Sequence, residues 1–217
     1  NTTASDNTAV GFQALYSNTT GSNNVGIGHR ALQSNTTASY STAVGYHALK
    51  NNTAERSTAF GRTSLEANTT GARNAAFGFA SLEVNTTGGF NTALGYATLV
   101  SNTTASNNTA VGYVAGYSNT TGSNNTAVGY RAGYNNTTGG ANTYVGKDAG
   151  LYNTTSSHST YIGYVAGEST TGEKNTFLGQ GAGSSVTSGQ KNTILGRYNG
   201  NQGGLDIRTS SNQIVLS

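Results

Sequence analysis

A glycine returns every 16 or 17 residues along nearly the whole chain: Gly11, Gly28, Gly45, Gly61, Gly78, Gly95, Gly112, Gly129, Gly146, Gly163, Gly179 and Gly196. Twelve copies with almost no drift make a repeat architecture the first thing to explain. The unit reads roughly N-T-A-V-G-Y-x-A-L-x-x-N-T-T-G-S-x. The position before the glycine is apolar in every copy, from Val10, Ile27 and Val44 to Leu178 and Leu195. Four after it, Leu15, Leu32, Leu49, Leu65, Leu82 and Leu99 give way to Gly116, Gly133, Gly150, Gly167, Gly183 and Gly200. Three before it stands mostly Thr. Between these flanks a small residue, from Ala9 to Ala127, swells to Tyr144, Tyr161, Phe177 and Ile194.

Seventeen residues with an internal Gly are too few for a helical hairpin, and no 3.6-residue apolar period appears. The segment T-A-V-G-Y alternates faces as a short strand does, and N-T-T-G is turn chemistry. One unit therefore reads as one coil: a strand, a corner at Gly, a second short stretch, then an Asn-led turn. The expected fold is all-β, a parallel β-solenoid of about twelve 17-residue coils; a rung spacing of about 4.8 Å would give a rod of roughly 55–60 Å. Hydrophobic residues are only 34% and charged residues 9%, a composition that in random order would suggest disorder. Stacking changes that, because identical residues then form ladders. The Asn row (Asn18, Asn35, Asn52, Asn68, Asn85, Asn102, Asn119, Asn136, Asn153) is expected to bond side chain to side chain along the axis. A Val/Ile/Leu/Phe line is expected to fill each coil, with the Ala row pointing the opposite way. A buried Val or Leu contributes only ~1.5–3 kcal/mol, while ordering the backbone costs ~1–2 kcal/mol per residue. So thin a coil calls for a second source of burial, most simply neighbouring chains, and the Ala row is the expected contact face.

The chain has no Cys, so disulfides, thiolate nucleophiles and Cys-type zinc sites are excluded. No run of 18 apolar residues occurs, and membrane insertion is not expected. Net charge is +3, but the 11 basic residues are spread along the chain without a block, so nucleic acid is not an expected partner. There is no Met at position 1 and no signal-peptide pattern, and Asn1-Thr2-Thr3 matches Asn18-Thr19-Thr20. The array is thus expected to continue upstream.

Several residues invite chemistry. Glu66 and Glu83 occupy one repeat position in adjacent coils, a spacing near that of a retaining glycosidase pair. Lys50 in the same row and nearby Arg62 make a solvated charge ladder the better reading, since an exposed row cannot split two pKa values. His29, His47 and His158 fall at different repeat positions and do not converge as metal ligands would. The stretch Gly179-Gln180-Gly181-Ala182-Gly183 looks like a phosphate loop, but the repeat explains its glycines. The N-x-T sequons recur because the turn recurs. No enzyme and no cofactor is expected. The aromatic row one after the Gly (Phe12, Tyr46, Phe79, Tyr96, Tyr113, Tyr130, Tyr164) shares a face with the apolar row by alternation, which points to core or inter-chain packing. Tyr16, Tyr117 and Tyr134, five after the Gly, are the candidate receptor-contact residues, able to stack on sugars or proteins.

At this point N-T-A-V-G-Y-x-A resembles the N-S-V-A-I-G-x-x-S motif of YadA-type trimeric autotransporter adhesin heads. The coil here is about three residues longer, and Thr often stands for the first core Val. The resemblance covers nearly all of residues 1–200 and implies a left-handed parallel β-roll with three chains packed side by side. A second resemblance is to phage tail fibre and tailspike shafts. There, the segment Gly200–Ser217 looks like the junction before a C-terminal self-cleaving intramolecular chaperone, with Ser217 as the candidate maturation cleavage end. Together these resemblances imply a homotrimeric structural segment of a phage tail fibre or tailspike involved in host attachment. It would be extracellular on the virion tail, with a host surface glycan or protein as receptor. The alternatives are a bacterial surface adhesin head and an ice-binding β-solenoid. The last needs regular Thr files, although alternation would turn Thr–Thr neighbours to opposite faces. A polysaccharide-cleaving tailspike lacks an acid pair. Residues 1–200 are read as the array and 201–217 as a cap, or a junction to a removed or following module, its strand arriving about three residues late. The switch from Leu to Gly after Leu99 is expected to repack the cross-section without breaking the chain into two domains.

Overall fold

The computed structural model describes residues 3–217; the match of Asn1 and Thr2 to the repeat lies outside the described residues. The chain divides into two compact units, the first ending at Asn107 and the second running from Asn108 to Ser217. Both are all-β and built alike. The first holds β1 (Thr8–Val10), β2 (Val25–Ile27), β3 (Thr42–Val44), β4 (Thr58–Phe60), β5 (Ala75–Phe77) and β6 (Thr92–Leu94). The second holds β7 (Thr109–Val111), β8 (Thr126–Val128), β9 (Thr143–Val145), β10 (Thr160–Ile162), β11 (Thr176–Leu178), β12 (Thr193–Leu195), the hairpin β13 (Asn201–Gln202) and β14 (Leu205–Asp206), and β15 (Ile214–Leu216). The thirteen three-residue strands are parallel rungs of a β-solenoid of about twelve turns. Within each unit successive rungs pair in a register that sets a repeat position against itself, as in Thr42↔Thr58, Ala43↔Ala59 and Val44↔Phe60, and β12 pairs with β15 across the hairpin.

The corner after each strand is made by the repeating glycine. Gly45 lies at φ +138, and a Cβ there would sit 2.4 Å from the carbonyl oxygen of Gly61 one rung on. No side chain fits that approach. The stretch that follows is a pair of tight turns rather than a second strand, with Ala14 N–H donating to Gly11 O (3.3 Å) and Asn18 N–H to Leu15 O (3.1 Å). Three further positions per turn are left-handed, such as Tyr40, His47 and Leu49 at φ 64, 60 and 50. A non-glycine residue there costs roughly 1–2 kcal/mol. Bonds between turns hold them: Tyr40 N–H to Ser22 O (3.1 Å), His47 N–H to His29 O (2.9 Å) and Leu49 N–H to Ser64 O (3.0 Å).

The expected facing of the strand is reversed. Ala43, Ala59 and Ala76 are wholly buried, whereas Val10, Phe60 and Leu94 are 56%, 43% and 49% exposed. The Val/Ile/Leu/Phe file therefore lies outside, and the Ala file is core rather than a contact face. The parity is set by Asn, not by hydrophobicity. The residue two before the Ala is a buried Asn or Ser whose side chain must point inward to bond backbone: Asn24 Oδ1 accepts from Ser41 N–H (2.9 Å) while its Nδ2 donates to Ala38 O (2.8 Å). Period-two alternation then carries Ala inward and Thr and Val outward.

The expected Asn row is present as a second ladder. Asn68, Asn85 and Asn102 each donate 2.7 Å bonds to the Oδ1 of Asn52, Asn68 and Asn85 one turn back. The same Nδ2 groups close their own corners on Gly71, Gly88 and Ala105 carbonyls.

The units fill their turns differently. In the first, Ala pairs with the buried Leu row. In the second, the rings of Tyr144, Tyr161 and Phe177 occupy the space opposite glycine, so that a Cβ on Gly133, Gly150, Gly167 or Gly183 would strike a ring atom at 2.3–2.6 Å. The repacking expected from the Leu-to-Gly switch has this physical content. In residues 201–217 the last rung pairs Thr193 with Ile214, four residues beyond the 17-residue step, because the β13–β14 hairpin is inserted before it. Among the described residues no helix is long and apolar enough to cross a membrane.

Candidate functional site

The outward residues fall into files, one residue per rung, and these files are the surface on which any site must be built. The file one before the Gly is apolar, as above. The file one after it runs Phe12, His29, Tyr46, Arg62, Phe79 and Tyr96 in the first unit. Its rings stack: Phe12–His29 at 5.2 Å, His29–Tyr46 at 5.1 Å and Phe79–Tyr96 at 5.1 Å between centroids. Arg62 bridges the gap, its guanidinium 5.6 Å from the Tyr46 ring and 5.3 Å from Phe79. In the second unit Tyr113 and Tyr130 stack at 5.4 Å, and Lys147 lies over Tyr130 and Tyr164 at 5.9 and 4.9 Å. Alternation was right that the apolar and aromatic rows share a face. That face is the outside, not the core. Only the glycine separates the two files, so each unit carries a band of exposed apolar and aromatic side chains.

Of the candidate receptor tyrosines, Tyr117 and Tyr134 stack at 5.0 Å with an 11° interplanar angle, both half-buried. Tyr16 belongs to the first unit, is 71% exposed, and has Gln33, Lys50, Glu66 and Glu83 after it in its row. Ser217 donates its N–H to Leu195 O (2.9 Å), and its Oγ accepts from Tyr198 N–H (3.0 Å).

Glu66 is turned away from pairing with Glu83: its Oε1 lies 2.9 Å from His47 Nδ1 and 3.5 Å from Lys50 Nζ. His29 and His47, expected to be scattered, stack on one another at 5.5 Å, since residues one and two after the Gly in successive turns face across the rung. His158 lies in the second unit. Among the described residues no three His, Cys, Asp or Glu side chains gather as metal ligands.

Sequence reasoning missed three features. Asp148 is a buried acid, its side chain 4% exposed, held by Arg131 Nε at 2.7 Å and Lys147 Nζ at 2.9 Å. Desolvation pushes its pKa up, but the two cationic donors more than offset this and hold the carboxyl below the ordinary value. Its signal was a Lys-Asp pair in a row otherwise free of acids. The second feature is a groove of about 350 Å³ lined by Tyr164, Gln180, Arg197, Asn199 and Gln202, the last from the inserted hairpin. The third is a groove of about 250 Å³ in the first unit, lined by Thr53, Glu55, Arg56, Thr70 and Arg73.

The two Thr of the N-T-T turn do not point to opposite faces as alternation implied. Thr19 and Thr20, and Thr36 and Thr37, are all exposed, because the segment is a bend and not a strand. The first Thr donates its Oγ1 to the Thr carbonyl one turn on in several turns, as from Thr19 to Thr36 O and from Thr69 to Thr86 O, both at 3.0 Å. No protein-family model, curated protein or solved structure matches this chain.

Proposed function

We propose that this chain is a structural and binding segment of a homotrimeric fibre used in host attachment, a phage tail fibre or tailspike in the first instance and a bacterial surface adhesin head in the second. The observation that carries the reading is the exposed band made by the files on either side of the repeating glycine. Phe60 and Phe77, stacked at 5.7 Å, and Leu94, Tyr46 and Tyr96 leave large apolar area in water on consecutive rungs. Contiguous apolar area on this scale marks a surface that another protein covers. Identical chains are the simplest partner for a band repeated at a fixed spacing, and the motif resemblance to trimeric adhesin heads supports three. The resemblance of Gly200–Ser217 to maturation junctions supports the phage assignment and an extracellular place on the virion tail. The function is mechanical and adhesive rather than catalytic. A covered ladder unfolds slowly, and three copies of a weak contact act together on a host glycan or protein.

Solution mass by light scattering at micromolar protein tests this. A value near 66 kDa, three times the 22.1 kDa chain, is expected. Phe60→Asp with Phe77→Asp should lower it without loss of the β signal in circular dichroism. A dilution-stable mass near 22 kDa overturns the trimer. One observation favours a second reading: the paired Thr files are both exposed, which an ice-binding face would use. Absence of thermal hysteresis at millimolar protein removes it.

A further inference from the structure

The two short steps of the repeat, Gly45 to Gly61 and Gly163 to Gly179, lose the same residue. Elsewhere in the first unit the turn reads Asn-Thr-Thr; here it reads Asn52-Thr53-Ala54, and in the second case Thr170-Thr171-Gly172. The second Thr of the exposed pair is missing. In the first unit the result is visible as the groove of about 250 Å³, with Thr53 and Thr70 on its sides where a Thr file would otherwise run unbroken.

Each deletion is followed by the same charges. Glu55-Arg56 and Glu173-Lys174 come directly after the shortened turn, and Arg73 and Lys191 occupy the cation's position one rung on. These four are the only Lys or Arg on that row in twelve turns, out of eleven in the chain. All four are left-handed and exposed, at φ 60, 60, 60 and 56. The backbone bonds agree as well: Arg73 N–H donates to Glu55 O (3.3 Å) and Lys191 N–H to Glu173 O (3.0 Å). A coincidence of surface composition would not place two cation pairs at the two deletions and nowhere else on the row.

The first pair is flanked by rings. Arg56 lies 5.5 Å from the Tyr40 ring below it, and Arg73 lies 5.2 Å from the Phe90 ring above, giving a four-rung stack of Tyr, Arg, Arg and Phe. The rings hold both guanidinium planes. Like charges on adjacent rungs, about 4.8 Å apart, repel. Arg56 has one partner, Glu55 at 3.2 Å, with both side chains half exposed, and Arg73 has no ion pair among the described residues. Two ordered guanidiniums beside a notch, short of one negative charge, fit an anion that can sit between them.

We propose that the notches left by the shortened turns bind acidic sugars: the carboxylate of a uronic-acid-type residue bridges the paired cations, and the exposed edges of Tyr40 and Phe90 pack against neighbouring rings of the polysaccharide. The exposed aromatic edges favour a saccharide over a bare anion. The row is too short in charge for nucleic acid, which needs a continuous basic track. This goes beyond the fibre reading, and it uses a different surface from the apolar band.

The test is calorimetric titration of the whole chain with tetragalacturonate and with an uncharged tetrasaccharide of galactose. Tetragalacturonate should bind, more weakly as salt rises, and the uncharged sugar at least tenfold less well. R56Q/R73Q should weaken binding at least fivefold, and adding K174Q/K191Q should abolish it. Inserting one Thr after Thr53 keeps both arginines but fills the notch, and should also weaken binding. Melting curves check that each variant folds; if R56Q/R73Q does not, R56K/R73K should fold and bind with a loss smaller than tenfold. Equal binding of the charged and uncharged sugars, no binding of tetragalacturonate at millimolar concentration, or wild-type affinity in the quadruple variant overturns the proposal. Competition by sodium sulfate as strong as by galacturonate itself overturns the sugar and leaves a bare anion site. Mass by light scattering is read separately, so failure of the trimer and failure of the sugar site are told apart.

Discussion

Replacing Tyr144 and Tyr161 with Phe should stabilise the protein, although both rings are core. They are 1% and 0% exposed, and neither hydroxyl makes a hydrogen bond of good geometry. Ser159, Asn175 and Thr170 stand near the Tyr161 oxygen and soften its desolvation without satisfying it. A buried group left unpaired costs about 1–3 kcal/mol, and Phe keeps the ring that Gly133, Gly150 and Gly167 accommodate. Each substitution should therefore add on the order of 1 kcal/mol, read as a higher urea midpoint at pH 8. The same burial has a pH signature. Desolvation lifts Tyr161 from 10.0 to about 12 and Tyr144 well above its ordinary value. A raised pKa means the folded state keeps its proton after the unfolded chain has lost it. The stability this represents is complete below pH 10 and is lost as the pH rises through about 12. Wild type should lose stability steeply over that window and Y144F/Y161F much less. Absorbance at 295 nm should show the Tyr144 and Tyr161 phenols still protonated in the folded protein above pH 10 and ionising when it unfolds there. A lower midpoint for the Phe variants at pH 8, or all thirteen phenols titrating near 10 in the folded protein, would refute the argument.

Three other perturbations have defined outcomes. Asn85→Ala removes bonds to Asn68 Oδ1 and Gly88 O and orphans the Nδ2 bond that Asn102 makes to Asn85, so it should cost on the order of 3 kcal/mol in urea unfolding. Gly78→Ala puts a Cβ 2.2 Å from Gly95 O at φ +126 and should prevent a folded first unit, seen as lost β-sheet circular dichroism. Asp148→Asn should flatten the acid limb of stability: the lowered pKa means that the carboxylate's contribution is present above the ordinary Asp value and lost as pH falls through the folded one, a loss thermal melts from pH 6 to 2 would show in wild type only.

The period, the corner glycine, the Asn ladder and the all-β solenoid were legible because each is a one-dimensional signal. Stacking identical residues leaves Gly45, Asn68 or Thr42 facing its own copy, and only a few residue types tolerate that. The inside–outside parity was not legible from hydropathy. Val and Ala are both apolar, and the larger is ordinarily the core residue. The deciding residue was the Asn or Ser at positions such as Asn24 and Ser41, whose buried bonds to backbone fix which face is in. The Thr pairs and the His29–His47 stack were missed for a related reason. Alternation holds only in the three-residue strands, and most of each turn is left-handed or bent. The cation pairs were hidden because single charges on a surface carry no signal until the two shortened steps are aligned with them.

The reversed parity also explains why the larger apolar residues are outside. A 17-residue turn closes on an interior too narrow for two large side chains at the same level. The first unit admits Leu by keeping the inward strand residue at Ala or Gly; Leu15 packs beneath the bare backbone of Gly26, 3.3 Å from where a Cβ would be. The second admits Tyr144, Tyr161 and Phe177 only by reducing the opposite position to Gly, with ring atoms at 2.3–2.6 Å from the missing Cβ atoms. Either way the volume is used once. A strand with three residues and one inward position has nowhere else to put Val, Ile, Leu or Phe, and a soluble surface does not need them on every rung. Leaving Phe60, Phe77 and Leu94 43%, 38% and 49% exposed forgoes about half of the ~1.5–3 kcal/mol that full burial of each gives. The interior cannot recover that energy by repacking, because it is already full. A surface laid over the band would recover it, and the proposed trimer supplies one.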